Sequence, residues 1–389
     1  MDHRYNKWEL LKIKIKNTYI YYLISKALYF LKTYPKYLMQ EIVYDHKLKS
    51  LNKVLIVLNN ENLGDCIIKL FVSLPIIKEI NKNAEIYVSI DNRWKDLIEI
   101  FDYNYKNVYL FHQNLDIDFD IAIILTNIHK LDFLNDINTK HKLVLFHPYN
   151  ADVFPKDNLI LTPPHYERNY SKKYKKVYFA YEEITNTLIK SFKKLIKNQC
   201  KFDKLPYITL SKDEEEKILN KFNLKRDEYI IISIFADKIG SPKEWVNKYW
   251  VELIDRIQTN FNSVKIVLVG NKDLPKEFKN IINNENIVNL CKKTSIKEVF
   301  YIIKNSKLII TVETGIQHIG FIFNKPQIII CGPSVPFLMK KNKNYYLIKN
   351  FNVCHTCESL VCYNKKFKEC MFSITPENIY KIVKHYTWD

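Results

Sequence analysis

Residues 308–334 read LIITVETGIQHIGFIFNKPQIIICGPS. Two apolar runs rich in Ile and Val, at residues 308–312 and 327–331, flank an amphipathic stretch at residues 314–323. Short β-branched runs are typical of buried strands, and the stretch between them has the length of a helix. This segment therefore predicts a strand, a helix and a second strand, the repeating unit of a parallel sheet covered by helices.

The same alternation extends in both directions along the chain. Further strands are predicted at residues 54–58, 85–90, 108–111, 121–125, 143–146, 229–235, 265–269 and 287–290. Further helices are predicted at residues 65–80, 176–197, 245–260, 275–283 and 295–305, after the capping pattern Ser211-x-x-Glu214, and after Thr375-Pro376. The pattern predicts an α/β protein with two doubly wound, Rossmann-like domains facing a cleft.

The periodicity lapses between residues 150 and 174, which marks the crossing between the two domains. We expect an amino-terminal domain at residues 51–205, a carboxyl-terminal domain at residues 206–375 and a closing helix at residues 376–389. In doubly wound sheets, ligands bind beyond the carboxyl ends of the strands. Functional residues are therefore expected in the turns that follow the strands.

The chain has only six glycines in 389 residues, roughly a quarter of the usual number. Where glycine is this scarce, its positions mark backbone that other residues fill poorly, through positive φ or close approach to a ligand. Five of the six lie in segments 63–65, 239–245 and 313–334. These segments are the predicted site.

Composition restricts the class of partner. The chain carries 60 Lys or Arg against 42 Asp or Glu, a formal net charge of +18, which favours anionic partners. Nearly all the positive charge is lysine, which binds phosphate as a point charge and reads base edges less often than arginine does. Membrane or phosphate recognition therefore outranks sequence-specific nucleic-acid binding.

Residues 1–50 form a basic amphipathic extension around TYIYYLISKALYFL at residues 18–31. This stretch is shorter than the roughly 20 residues needed to span a bilayer. Tyr and Phe beside lysines are typical of a helix lying on an anionic membrane, and packing on protein is the alternative. No secretory signal is visible, so a cytoplasmic protein, peripheral on the inner face of the cytoplasmic membrane, is expected.

Two groups of residues could carry chemistry at the sheet edges. Asp65 follows a predicted strand, where its carboxylate could accept a proton from a substrate hydroxyl or simply cap a helix. Thr314 and Gly315 open a predicted helix whose free N–H groups suit a diphosphate. His318, one turn later, could donate to a phosphate oxygen, and Lys243 could supply a neutralising cation.

Four cysteines lie within 17 residues in the pattern Cys354-x2-Cys357-x4-Cys362-x7-Cys370. Four thiolates can hold a structural zinc, or less commonly iron, in a tetrahedral site, and four reduced thiols are the alternative. The remaining cysteines fall in or beside apolar runs and are expected in the core: Cys66, Cys200, Cys291 and Cys331.

Four motifs together resemble the bacterial heptosyltransferases of glycosyltransferase family 9. The family patterns read approximately K-x-W-P-x-x-x-W, D-T-G-x-x-H and G-P-T, with an amino-terminal strand and G-D turn. In this chain the matching segments are KEW at 243–245 with Trp250, ETGIQH at 313–318, GPS at 332–334 and LGD at 63–65. The resemblance covers about residues 53–383.

The resemblance implies a GT-B fold whose carboxyl-terminal domain holds a nucleotide sugar, usually ADP-heptose, and whose amino-terminal domain holds the acceptor. It makes Asp65 the general base and Lys243, Thr314, Gly315 and His318 contacts of the donor diphosphate. Gly332 belongs to the donor-binding G-P-T pattern. No catalytic metal is expected, because lysine and helix dipole can stabilise the departing diphosphate.

The implied reaction is inverting transfer of a heptose or related sugar to a lipopolysaccharide or lipooligosaccharide core, or to a related surface glycan. One alternative is a protein (adhesin) heptosyltransferase, or a transferase of another sugar. Another is a non-enzymatic, basic nucleic-acid-binding protein with a four-cysteine finger.

Three departures from the family patterns affect the donor side. Glu313 stands where the family usually has Asp, Val246 replaces the motif proline, and residues 236–241 differ from the family's hydroxyl-rich loop. A carboxylate beside a diphosphate is repulsive unless another group satisfies it. Glu313 is therefore expected to have a positioning role.

Overall fold

The structure is a computed structural model. It describes residues 51–59, 61–112, 116–125, 137–140, 142–144, 159–161, 178–179, 188, 208–236, 241–333, 337–338, 344–350, 352–353, 362, 364 and 366–386. The predicted basic extension lies outside the described residues. The chain divides into two compact units, Met1–Lys173 with Tyr181–Pro206, and Tyr174–Ala180 with Tyr207–Asp389.

The first unit contains a six-stranded parallel sheet in the order β3-β2-β1-β4-β5-β6. The strands are β1 (Lys53–Val57), β2 (Glu85–Ser89), β3 (Val108–Leu110), β4 (Ile121–Ile124), β5 (Lys142–Val144) and β6 (Leu159–Leu161). Two helices connect the first three strands: α1 (Leu63–Ile80) and α2 (Asp96–Tyr105). A single turn of 3₁₀ helix, Asn92–Trp94, precedes α2.

Asp120 fixes the start of this sheet. It lies directly before β4, and its Oδ2 accepts hydrogen bonds from the backbone N–H groups of Asn52, at 2.8 Å, and Lys53, at 3.3 Å. Its Oδ1 pairs with Lys140 at 2.7 Å. Burial opposes ionisation of this carboxyl, but these hydrogen bonds outweigh it and hold the pKa of Asp120 below its usual value.

The second unit repeats the arrangement with the order β10-β9-β8-β11-β12-β14, again all parallel. Its strands are β8 (Tyr229–Ser233), β9 (Lys265–Leu268), β10 (Ile287–Asn289), β11 (Leu308–Val312), β12 (Gln327–Ile330) and β14 (Tyr345–Ile348). A separate parallel pair joins β7 (Tyr178–Phe179) to β13 (Phe337–Leu338). The helices are α3 (Lys212–Lys221), α4 (Asn247–Asn260), α5 (Ile296–Lys304), α6 (Gly315–Ile322), α7 (Glu369–Phe372) and α8 (Pro376–Val383).

Polar caps define where the helices of this unit begin. Ser295 caps α5 in a complete capping box with Glu298, and Thr375 does the same for α8 with Asn378. Ser211 accepts a hydrogen bond from the Glu214 N–H, but the Glu214 carboxylate binds Tyr301 and Lys297 instead of closing the predicted box. This carboxylate therefore joins α3 to α5.

Several predicted elements differ from the structure. The segment predicted as a helix at 275–283 is two short 3₁₀ helices, Lys276–Phe278 and Ile281–Asn283. Tyr178–Phe179, inside the helix predicted at 176–197, is a strand. The elements at Asp96–Tyr105, Leu159–Leu161 and Tyr345–Ile348 were not predicted, and the last two fall where flanking polar residues obscure a short apolar run.

In both sheets the strand order reverses beside the first strand, between β1 and β4 and between β8 and β11. At such a switch point the following connections diverge to opposite faces, which leaves a crevice at the carboxyl ends of the strands. Each unit therefore has its own binding edge. Asp65 lies at the edge of the first unit, and Thr314 and Gly315 lie at the edge of the second. Among the described residues, no helix is long and apolar enough to cross a bilayer.

Candidate active site

Asp65 lies in the first turn of α1, at the binding edge of the first unit. Asn62 is the N-cap, and its side chain makes no capping hydrogen bond, so Asp65 is the third helical residue and does not cap the helix. Its side chain makes no hydrogen bond or ion pair with any residue that the structure describes. The carboxylate is half-buried and belongs to the first turn of the helix.

Two other carboxylates at this edge have dedicated cations. Glu61 Oε2 lies 2.9 Å from Lys69 Nζ, and both side chains are largely buried, at 14% and 11% exposed. Asp91 Oδ2 lies 2.9 Å from Arg93 Nη2, and hydrogen bonds from Arg93 lower the pKa of Asp91. The Trp94 indole N–H donates to the Glu61 carbonyl at 3.2 Å, which ties the loop before α1 to the segment after β2.

At the binding edge of the second unit, β11 runs directly into α6. Thr314 is the N-cap with extended backbone, and its hydroxyl accepts a hydrogen bond from the Ile316 N–H at 3.3 Å. Gly315 is the first helical residue. First-turn N–H groups have no acceptor within their helix, so this turn provides donors and a positive dipole end for an anion.

Lys243 and Glu313 meet beside this turn. Lys243 Nζ is 3.3 Å from Glu313 Oε2, where the glutamate side chain is 7% exposed and the lysine 40%. The buried carboxylate is thus compensated by an ammonium group that still reaches solvent. The additional methylene of Glu313 relative to Asp lengthens the arm that makes this contact, and the pairing removes the repulsion expected between Glu313 and a diphosphate.

Trp245 anchors the segment that carries Lys243. Its ring is buried, packs edge-on against Trp250 at 4.8 Å, and donates its indole N–H to the Ile374 carbonyl at 2.8 Å. Val246, which replaces the motif proline, has φ −73°, a value that proline also adopts. The backbone at this position is therefore compatible with the proline of the family motif.

His318 lies on the first turns of α6 but is 4% exposed. Its Nε2 lies 3.4 Å from Nε2 of Gln317, which is fully buried. The structure therefore brings Lys243, Glu313, Thr314 and Gly315 together at one edge, and His318 is buried on the helix that begins there.

Gly332 follows β12 and lies against the carboxyl-terminal segment. A Cβ atom at this position would be 2.9 Å from Met371 Cγ, closer still to Met371 Sδ, and 3.4 Å from Cys370 Sγ. The Gly332 carbonyl also accepts a hydrogen bond from Lys349 at the end of β14. The absence of a side chain here allows Cys370 and Met371 to pack against the edge that carries the predicted donor residues.

The cysteine cluster lies partly outside the described residues, which omit Cys354 and Cys357. The Cys362 Sγ accepts a hydrogen bond from the Lys368 N–H at 3.1 Å, and Cys370 is buried. Within the described part of the chain, no group of three or more His, Cys, Asp or Glu could hold a metal ion.

The core assignments of the other cysteines are confirmed for three of the four. Cys66, Cys291 and Cys331 are buried and free, while Cys200 lies outside the described residues. Burial raises the pKa of Cys331, with Glu313 adding to the effect and Lys349 and Lys243 opposing it. A thiol held protonated in this way is not a nucleophile.

The model of glycosyltransferase family 9 (heptosyltransferase) matches residues 164–368, which is more than half of the chain. The chain belongs to this family. Two curated relatives are each 28% identical to it. They are lipooligosaccharide heptosyltransferase 2 of Haemophilus influenzae, over 34% of this chain and 40% of the relative, and that of Campylobacter jejuni, over 43% and 54%. The chain therefore spans about half the length of the curated relatives it matches.

Solved structures share the fold over a greater length. ADP-heptose lipopolysaccharide heptosyltransferase II of Escherichia coli superposes with a TM-score of 0.65 at 17% identity, covering 86% of this chain and 98% of that one. The iron-containing dodecameric glycosyltransferase TibC of enterotoxigenic E. coli gives 0.55 at 11% identity, covering 87% and 77%. These likenesses show that the α/β fold with two parallel sheets is that of the heptosyltransferases.

Sequence reasoning missed three charged residues that the structure places at these edges: Lys349, Glu61 and Lys69. Lys349 follows a strand that was not predicted, so nothing in the sequence pattern located it. Lys69 follows Asp65 by four residues on α1, a spacing that indicates a shared helix face, whereas Glu61 precedes the helix and has no such signal.

The packing at Gly332 can be tested directly. Gly332→Ala should lower the free energy of unfolding by about 1–3 kcal/mol, because the new methyl overlaps Met371. Chemical denaturation measures this loss. In a Met371→Ala background the same substitution should cost much less, and equal costs in the two backgrounds would contradict this packing.

Proposed function

We propose that this protein is an inverting glycosyltransferase that moves a heptose or related sugar from a nucleotide-diphosphate donor, with ADP-heptose favoured, to a lipopolysaccharide or lipooligosaccharide core or a related surface glycan. Family membership and the names of the relatives support the reaction class. The observation that carries the proposal is the Lys243–Glu313 pair beside the first turn of α6, at the switch point of the second sheet.

This arrangement suits a departing diphosphate. When the bond between the anomeric carbon and the diphosphate oxygen breaks, both electrons stay on that oxygen and negative charge develops there. The half-exposed ammonium of Lys243 and the first-turn N–H groups at Thr314 and Gly315 supply positive charge at this point. Glu313 orients Lys243, and His318 on α6 and Gly332 after β12 complete the proposed donor-binding residues.

Asp65 is the proposed general base. Its carboxylate takes the proton of the acceptor hydroxyl while the acceptor oxygen bonds to the anomeric carbon, on the side opposite the departing diphosphate. The two neighbouring carboxylates, Glu61 and Asp91, are paired with cations, whereas Asp65 makes no ion pair with a described residue. Of these three carboxylates it is therefore the one best suited to accept a proton.

The acceptor side of the proposal includes an anionic membrane surface. The net charge of +18 and the basic, aromatic sequence of residues 1–50 support a cytoplasmic enzyme that is peripheral on the inner membrane face. A protein acceptor is the second candidate. The mass of the glycosylated product distinguishes a glycolipid from a protein acceptor.

We also propose that Cys354, Cys357, Cys362 and Cys370 hold a structural metal, zinc or iron, that stabilises the carboxyl-terminal segment and takes no part in transfer. The backbone N–H of Lys368 donates to Cys362 Sγ, a contact that stabilises a thiolate ligand, and TibC is described as iron-containing. Metal analysis of protein purified under reducing conditions should give about one ion per chain. A value near zero in folded protein would mean four free thiols.

Replacement of the base should abolish transfer. Asp65→Asn is expected to lower kcat at least ~100-fold, because the variant cannot accept the proton. A panel of nucleotide sugars, scored by released nucleotide, identifies the donor and measures this loss, and calorimetry should show unchanged affinity for ADP. Asp96→Asn, a half-buried first-turn aspartate of α2, is the matched control. Loss of ADP binding in Asp65→Asn would contradict the assignment.

Removal of the cation should weaken the donor site. Lys243→Met keeps the aliphatic stem but deletes the charge, so the dissociation constant for ADP should rise about 10–100-fold. Lys248→Met removes an exposed lysine five residues along the chain and should have little effect. Wild-type affinity and turnover in Lys243→Met would remove this residue from the site.

A further inference from the structure

The sequence around Asp65 predicts an ion pair that the structure does not contain. Asp65 and Lys69 are four residues apart on α1, with the acid nearer the amino terminus, which is the favourable orientation for a helical salt bridge. Lys69 instead contacts Glu61, at 2.9 Å between Nζ and Oε2. Glu61 lies just before the N-cap, so it competes for the same lysine from outside the helix.

The geometry of the helix explains how this is possible. Long side chains on a helix lean back toward its amino terminus, so a lysine at position 69 can extend toward Asp65 or toward Glu61. The spacing of four residues on α1 puts the Lys69 ammonium within reach of Asp65, and in the structure that ammonium contacts Glu61.

Burial and a backbone hydrogen bond hold the Glu61–Lys69 ion pair in place. Both side chains are almost buried, and the Glu61 carbonyl is held by the Trp94 indole N–H. Asp91 has its own partner in Arg93 and does not compete for Lys69. Of the three carboxylates Glu61, Asp65 and Asp91, two therefore have a cation as partner and Asp65 has none among the described residues.

We propose that Glu61 is a positioning residue that diverts Lys69 from Asp65 and so keeps the base free to accept a proton. The inference rests on the proposed role of Asp65. A carboxylate paired with an ammonium group is a weaker base, and its oxygens are occupied by the lysine. Glu61 does not touch substrate in this account, and its effect on the reaction passes entirely through Lys69.

Variants at the two positions test the proposal. Glu61→Gln keeps the shape of the side chain but removes its charge, so Lys69 should turn to Asp65 and kcat should fall about tenfold with little change in ADP affinity. Glu61→Gln combined with Lys69→Met leaves no cation to occupy Asp65. This double variant should therefore recover most of the lost kcat. The conservative variant Glu61→Asp should keep the wild-type kcat.

A purely structural ion pair gives a different result. If the pair only fastens the loop to α1, the double variant will be no more active than Glu61→Gln, and the proposal is overturned. It is overturned as well if Glu61→Gln has the wild-type kcat. Should Glu61→Gln fold poorly, Lys69→Met is compared with the double variant, and a loss above about threefold on adding Glu61→Gln contradicts diversion.

Two controls separate this inference from its premise. Asp120→Asn weakens another acid–lysine pair of the same unit, in which the acid is buried and the lysine exposed, at the amino edge of the sheet. It should lower thermal stability while kcat is retained. Full activity in Asp65→Asn would remove the proposed base and this inference with it. Loss of activity in Asp65→Asn together with an unaffected Glu61→Gln would remove the inference alone.

Discussion

Parallel pairing of every strand in the two six-stranded sheets is the constraint on which the rest of the structure depends. Because all strands point the same way, every strand-to-helix turn of a unit emerges at one edge, and the switch in strand order opens that edge beside the first strand. Asp65 in one unit and Thr314 in the other follow strands next to these switch points. The strand order alone places both residues at these edges, without any specific side-chain contact.

Three of the few glycines lie at close packing contacts, and other residue types occupy the backbone positions with positive φ. Gly270, Gly320 and Gly332 each lie where a side chain of the protein packs against the bare backbone, from Phe235, Gln327 and Met371. Another group does approach the backbone closely at these three glycines, as predicted. The approaching groups are protein side chains, whereas a ligand was expected from the sequence. The left-handed backbone positions among the described residues are filled by Lys106, Asn107, Asn223, Asp227, Lys292, Asn324 and Lys368.

The parts of the fold that could be predicted are those in which apolar residues recur at a regular interval. Leu308–Val312 was predicted to the residue, and β1, β2, β4 and β8 to within two, because each is a buried run bounded by polar residues. Tyr345–Ile348 was missed because it lies at a sheet edge and is only partly buried, with Tyr346 exposed. The segment at 275–283 has helical composition, but proline and asparagine limit it to two short turns.

The sequence was enough to predict which residues form the candidate site, but not which of their side chains form ion pairs with each other. Motif spacing located Lys243 and Glu313 at one edge, but only the structure shows that they bind each other. The same chemistry appears in the first unit with the opposite consequence. There Glu61 pairs with a largely buried lysine, Lys69, whereas in the second unit the buried Glu313 pairs with Lys243, whose side chain is 40% exposed. A lysine–glutamate contact is weak evidence for stability, but at a binding edge it decides which charges a substrate meets.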